Sequence, residues 1–342
     1  MINFWNNLSK PIIGLAPMDG VTDYPMRQIQ CSIAKPDVMY TEFIQVEGFS
    51  RKPKIFDQKL FFKENEHPIV AQVVGVDPEA FYIAVQAISK MGFDGIDINM
   101  GCPNHDVVSR GAGGGLIGNY KQVEKIINQC LKALDNKLPL SVKTRIINDP
   151  VANKEWFTFL SKFSLAEITI HGRPIKQMQS GEVSWETIKQ GAEIIRKQKI
   201  VCLGNGGIKS ISEGKELCLR YGLDGVLVGQ AALGNPWVFT DKRQPTKDQI
   251  LDTLLKHGHL ANDFYGPKKY LMILKHYSWY PKGFDGAKEL RINLLKTRTI
   301  KEVEDVIAKQ ALSLRTKCLP SKRSFQGSNP IRDCHEATGL SQ

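Results

Sequence analysis

The sequence predicts an α/β protein, a closed (β/α)8 TIM barrel followed by a small C-terminal helical bundle. Three observations predict it. Over the first 240 residues one rhythm repeats: a short apolar, β-rich run, a polar or glycine-bearing turn, then a longer amphipathic segment. The short runs number eight and are near-continuously apolar, as parallel strands covered on both faces must be. From Gln249 onward the strand-like runs stop and helical periodicity takes over. Eight β/α units suit a closed barrel better than an open doubly wound sheet. At 342 residues the chain has room for one barrel of about 250 residues and a smaller appendage.

The expected strands are Ile12–Met18, Val38–Phe43, Ile69–Gly75, Gly95–Met100, Leu140–Ile146, Glu167–His171, Ile200–Gly204 and Gly225–Gly229. Helices are expected over Pro78–Met91, Lys121–Asn136, Val151–Phe163, Ser184–Lys197 and Ser212–Tyr221. In the bundle they are expected over Gln249–His259, Pro267–Tyr280, Ala287–Thr297 and Ile300–Ala311. The chain thus divides into a barrel over 1–240, a helical domain over 241–312 and a loose, Ser-, Lys- and Arg-rich tail over 313–342.

Composition narrows the function. A hydrophobic content of 42% and a mean hydropathy of −0.25 suit a soluble globular chain. No apolar run of about 18 residues spans a membrane, and the start lacks the basic and apolar regions of a signal peptide. A cytoplasmic location is expected. The seven cysteines are scattered without a C-x-x-C pair, which argues against a disulfide framework and a zinc site. Net charge is +11, and from Asp241 onward 19 Lys and Arg face 11 Asp and Glu. That excess of +8 fits either a polyanionic partner or simply a basic, soluble surface.

A barrel carries its chemistry at the C-terminal ends of its strands. Those ends read Ala16-Pro17-Met18-Asp19-Gly20, Glu42, Gln72, Asn99-Met100-Gly101-Cys102-Pro103, Lys143 with Arg145, His171-Gly172-Arg173, Gly204-Asn205-Gly206-Gly207 and Gly229-Gln230. Nearly every strand delivers a polar group or a glycine turn to one mouth, which core packing alone does not explain. The turns after the last two strands suit a phosphate group, because glycine lets backbone N–H groups approach an anion. Lys143 lies on an otherwise apolar strand and calls for an anion or acceptors. Cys102, held between glycine and proline, can serve as nucleophile or proton donor, or simply pack in the turn. The glycine-dense Arg110–Gly115 stretch matches neither a P-loop nor a dinucleotide fingerprint.

Taken together, these segments resemble the tRNA-dihydrouridine synthase family. The matching motifs are Ala16–Asp23, Thr41-Glu42-Phe43, Ala71-Gln72-Val73, Asp97–Pro103, Val142–Arg145, Thr169–Arg173 and Gly204–Gly207, in family order over residues 10–240. The stretch Lys275–Tyr280 followed by Lys288–Arg291 is similar to the family's C-terminal domain, whereas the chain after residue 312 has no counterpart. The resemblance implies an enzyme in which NADPH reduces FMN and the flavin passes hydride to C6 of a uracil in tRNA. It implies that Cys102 protonates C5. It places Pro17, Met18, Asp19, Gln72, Lys143, His171, Asn205, Gly206, Gly207, Gly229 and Gln230 around FMN, and Asn99 and Arg145 on the uracil. It further implies a monomer whose basic helical domain grips the tRNA backbone. Two departures stand out. Gly229-Gln230 replaces the family's Gly-Arg, and Pro103-Asn104-His105-Asp106 replaces a lysine-bearing stretch. The alternatives are another FMN-dependent barrel reductase, of the dihydroorotate or enoate type, and a non-catalytic tRNA-binding protein.

Overall fold

The computed structural model describes residues 3–241 and 244–317. Among the described residues there are nine parallel strands: β1 Ile12–Leu15, β2 Met39–Tyr40, β3 Ile44–Gln45, β4 Ile69–Val74, β5 Gly95–Met100, β6 Leu140–Arg145, β7 Glu167–His171, β8 Val201–Asn205 and β9 Gly225–Val228. Their order is β1-β9-β8-β7-β6-β5-β4-β2, with β3 also on β4. The two ends of that row meet. The Leu15 N–H donates to Val38 O, and the Asp37 N–H to Ile13 O, both at 3.0 Å. The expected barrel is therefore a near-closed cylinder.

The expected second strand is two short pieces, and the reason is local. The Thr41 hydroxyl donates to Glu42 O at 2.8 Å and accepts the Gln72 N–H at 3.1 Å, so a side chain replaces part of the ladder. This turns Glu42 to the mouth, where it accepts the Gly20 N–H at 2.6 Å. β1 likewise stops at Leu15 rather than Met18. The Val21 and Thr22 N–H groups both fold back onto Met18 O at 3.0 Å, closing a turn.

One end of the barrel is plugged. Trp5, on the 3-10 turn Phe4–Asn7, packs with Ile12, Val38, Tyr40, Val70, Leu203 and Leu227 inside the cylinder. Outward-facing strand residues pack against the surrounding helices in a separate, larger core. Alternation along the strands puts Gln72, Asp97, Ser141, Glu167 and Thr169 in a polar layer between the plug and the open mouth.

Helices cover the barrel over Pro78–Ile88, Tyr120–Leu134, Pro150–Leu160, Trp185–Ile195 and Ile211–Tyr221. The helix Tyr24–Ile33 is an addition to the expected set, because Arg27 and Gln30 spoil its apolar stripe. Both are buried: Arg27 pairs with Glu66 at 2.5 Å and donates to Thr22 O and Phe61 O, and Gln30 donates to Pro236 O. Asp23 caps this helix through the Met26 N–H at 3.0 Å, and its other oxygen accepts the Tyr265 hydroxyl at 2.9 Å. Tyr265 ends the helix Lys247–Tyr265, so Tyr24–Ile33 also docks the C-terminal helices.

Those helices bury their own cluster of Leu251, Leu254, Tyr270, Tyr277, Leu290 and Leu294. The expected helix Pro267–Tyr280 is a 3-10 segment, Pro267–Ile273, followed by Leu274–Trp279, with Lys269 at φ −106° breaking the regular turn. The last helix runs Ile300–Lys317, five residues into the expected tail; residues 318–342 of that tail lie outside the described residues. Among the described residues, no helix is long and apolar enough to cross a membrane.

Candidate active site

Three strand ends form a cradle. Gly206 and Gly207, just past β8, have φ of +129° and +70°, backbone conformations that residues with a side chain rarely adopt. Among the described residues, the N–H groups of Gly206, Gly207, Gly229 and Gln230 donate to no protein acceptor. A Cβ at Gly206 would meet Val183 at 3.0 Å and the His171 ring at 3.1 Å, so glycine is what lets this wall close up. A Cβ at Gly229 would lie 3.7 Å from the Met18 sulfur, which brings the Pro17–Met18 turn against the β9 end. Free backbone donors at a concave strand end are a ready site for a phosphate. The donor set fits the terminal group of a flavin mononucleotide.

Next to the cradle, Lys143 on β6 donates to Asn205 Oδ1 at 2.9 Å, and Asn205 donates to Leu227 O at 2.7 Å. Burial, helped by the nearby Arg145, pushes the Lys143 ammonium down to about 8, against the pull of Asp97 and Glu167. Two N–H groups of Lys143 remain for an anion. Burial, with three cations close by, also holds His171 neutral. Its Nε2 lies 3.4 Å from Arg173 Nη1 and accepts there, which leaves Nδ1–H as its donor.

The thiol lies almost opposite. By strand order β5 is diametric to β9, and Cys102 follows β5 directly. Its N–H and that of Gly101 both donate to Asn99 Oδ1, at 2.9 and 3.1 Å, and its carbonyl accepts the Gly114 N–H at 2.9 Å. The glycine-dense stretch therefore buttresses the thiol turn. A Cβ at Gly114 would meet Cys102 O at 2.9 Å, so side chains there would push the turn away. The half-buried Cys102 side chain borders Phe43, Val74, Val107 and Ala112. Burial is the largest influence on it and raises its pKa above the ordinary thiol value, although Arg145 and Lys143 pull the other way. At neutral pH the group is a thiol, suited to giving up a proton and unsuited to nucleophilic attack.

Arg145 ties the site together. Its Nε donates to Gly101 O and its Nη1 to Met178 O, each at 2.7 Å. Met178, with φ +47° and ψ −100°, belongs to the loop after β7, which lies over this side of the mouth. Gln230 donates to Gln179 of the same loop at 2.7 Å. The structure thus gathers Asn99, Cys102, Arg145, Lys143, His171, Asn205 and the glycines. It leaves two expected residues at the rim: Asp19 is exposed and pairs with Lys59 at 2.6 Å, and Gln230 is exposed on the loop contact. Gln72 is buried beneath Asn99.

Three residues to which sequence reasoning gave no role join the site. Arg173 contacts His171 and Gly181 O. Lys59 reaches Asp19 and Glu42 from a surface helix that no motif marks. Asp97 is buried beneath Gln72, and an acid between Ile96 and Ile98 on a parallel strand was the available signal.

The family model described as Dihydrouridine synthase (Dus) matches residues 14–316. A Staphylococcus aureus (strain Mu50) protein named "Probable tRNA-dihydrouridine synthase" is 36% identical over 314 residues, covering 89% of this chain and 94% of the relative. The Bacillus subtilis (strain 168) "Probable tRNA-dihydrouridine synthase 2" is 33% identical over 315 residues, covering 89% and 95%. Among solved structures, morphinone reductase in complex with tetrahydroNAD superposes with a TM-score of 0.50 at 11% identity, over 72% of this chain and 92% of that one, which is a likeness of fold. The match spans barrel and helical region alike, and the chain belongs to the dihydrouridine synthase family.

Proposed function

We propose that this chain reduces uridines in tRNA to 5,6-dihydrouridine, with FMN as its flavin and NADPH as reductant, acting as a cytoplasmic monomer. The observation that carries the reading is the half-buried Cys102 side chain, across the mouth from a cradle of free backbone N–H groups. When bound, FMN supplies the hydride that goes to C6 of the uracil ring.

The chain's own residues do the rest. The backbone of Gly206, Gly207, Gly229 and Gln230 holds the phosphate, with Pro17 and Met18 closing the other side. Lys143 and the Nδ1–H of His171 would donate to the flavin, and Lys143 would offset negative charge on its ring. Asn99 and Arg145 orient the uracil; Arg145 keeps its Nη2 protons for a carbonyl oxygen. The Cys102 Sγ–H, on the strand end opposite the cradle, would give its proton to C5. A uridine in folded tRNA is stacked and must be extruded to reach this mouth. The exposed Lys268, Lys269, Lys282, Lys288, Lys296 and Arg298 of the helical region give the tRNA backbone cationic partners.

The test is Cys102→Ala and Cys102→Ser on unmodified tRNA. Flavin content and flavin reduction by NADPH stay at wild-type levels, while dihydrouridine formation falls by about 100-fold or more. Normal dihydrouridine yield in either variant refutes Cys102 as the acid. Turnover of dihydroorotate or a simple enone without tRNA points instead to a small-molecule reductase.

A further inference from the structure

We propose that Asp97 is a positioning residue that fixes the Cys102 turn through a relay of two amide side chains; this deepens the proposed function and rests on its reading of Cys102. The relay is a chain of hydrogen bonds with a direction. Asp97 is wholly buried, and its two oxygens accept from Gln72 Nε2 at 2.7 Å and from Ser141 Oγ at 2.8 Å. A carboxylate only accepts, so the end of Gln72 facing it must be the NH2 end. Gln72 Oε1 is thereby turned toward Asn99, whose Nδ2 donates to it at 2.9 Å. That choice turns Asn99 Oδ1 outward, where it accepts the Gly101 and Cys102 N–H groups.

A primary amide has a donor end and an acceptor end of nearly the same shape. Nothing in packing tells Gln72 or Asn99 which way to face. The carboxylate decides the first; Gln72 Oε1 on one side and the Gly101 and Cys102 N–H groups on the other decide the second. If Asp97 became an amide, Gln72 could reverse. Asn99 would then offer its oxygen to Gln72 and its NH2 to two backbone N–H groups, donors against donors. The thiol turn would lose both of its anchors on β5. Asp97, Gln72 and Asn99 thus carry one instruction from the polar layer of the barrel to the mouth.

The experiment uses the holoenzyme carrying Asp97→Asn, Gln72→Met and the double substitution Asp97→Asn with Gln72→Glu. The double variant moves the carboxylate one step along the relay. A carboxylate at position 72 accepts from both neighbours, so Asn99 keeps its direction. Two readouts are followed: the alkylation rate of Cys102 by iodoacetamide, read by mass spectrometry, and the two half-reactions in single turnover.

Asp97→Asn and Gln72→Met are expected to change the Cys102 alkylation rate several-fold. Both should slow dihydrouridine formation by about 100-fold, the cost of misplacing a reacting group by roughly an ångström, and Asp97→Asn, which lies beneath Gln72, should leave flavin reduction by NADPH within about twofold. The double variant returns the alkylation rate toward wild type. An unchanged alkylation rate in both single variants overturns the relay, as does a double variant no closer to wild type than Asp97→Asn. If Asp97→Asn does not fold, Gln72→Met cuts the same chain and decides alone. A Cys102→Ala enzyme that still makes dihydrouridine at the normal rate sinks the acid assignment instead, and the alkylation readout still decides the relay.

Discussion

Lys143→Met should make the flavin-free protein more stable while destroying its grip on flavin, and the two effects can be sized from the structure. Holding an ammonium at this position pulls its pKa from 10.5 down to about 8. At about 1.4 kcal/mol per pKa unit, keeping Lys143 charged at pH 7 costs the folded chain roughly 3 kcal/mol. Methionine has similar length and no charge. Part of the gain is lost, because Asn205 Oδ1 loses its donor and Asp97 and Glu167 lose a nearby cation. A net stabilisation of about 1–2 kcal/mol is expected. The pH dependence carries the sign. A base whose folded pKa lies below its unfolded one binds fewer protons in the native state, so wild-type stability rises between about pH 8 and 10.5. The variant lacks that rise. Urea denaturation of flavin-free protein from pH 6 to 10 measures both, and flavin titration measures the lost affinity. A variant less stable than wild type, with an unchanged pH slope, would show that Lys143 is well solvated and that its role as an anion partner is misassigned.

The remaining predictions rest on other groups. Because burial raises the Cys102 pKa, iodoacetamide should label Cys102 slowly at pH 7.5 and faster as pH passes 9, read by peptide mass spectrometry; full reactivity at neutral pH would mean a thiolate. Glu66→Leu strands the buried Arg27 guanidinium and should cost about 3–5 kcal/mol in urea unfolding, whereas a loss under about 1 kcal/mol would mean that the carbonyl acceptors suffice. Lys268→Glu with Lys288→Glu should weaken tRNA binding and reduce the salt slope of log Kd by about 2; an unchanged slope would place the tRNA elsewhere.

What the sequence made legible follows from where each signal is stored. Strand identity is local: Ile96 to Met100 and Leu140 to Val142 read as buried parallel strands because apolar runs bounded by turns have few other uses. The strand-end residues follow from that, since β5 and β6 fix where Asn99, Cys102, Lys143 and Arg145 must stand. The helix Tyr24–Ile33 was not legible, because its buried Arg27 is satisfied by Glu66, 39 residues away. The break in the second strand was hidden for the same reason: Thr41 takes over a ladder acceptor only once β4 is alongside. Nor could spacing reveal that Arg145 would hold the carbonyl of Met178, 33 residues on, or that Lys59 would reach Asp19 across 40 residues.

The protonation states of the site argue for one division of labour among its residues. Three cations, Lys143, Arg145 and Arg173, stand at the mouth, and they would ordinarily pull a neighbouring cysteine toward thiolate. Burial against Phe43, Val74, Val107 and Ala112 outweighs the pull of Arg145 and Lys143, and the thiol keeps its proton. Burial, aided by the same cations, suppresses the charge of His171, which remains a neutral donor. The acids near the opening are engaged: Asp97 and Glu167 lie one layer down, Glu42 accepts the Gly20 N–H, and Asp19 at the rim pairs with Lys59 and adds to the rise of the Cys102 pKa. A mouth lined this way attracts anionic ligands and presents, on the side away from the glycine cradle, an uncharged acid, the Cys102 thiol, that is still protonated at neutral pH. A nucleophilic role for the cysteine would need the opposite arrangement, with the apolar wall removed and a base such as His171 turned toward it. The structure instead commits His171 to Arg173, on the far side of Arg145 from the thiol turn in strand order.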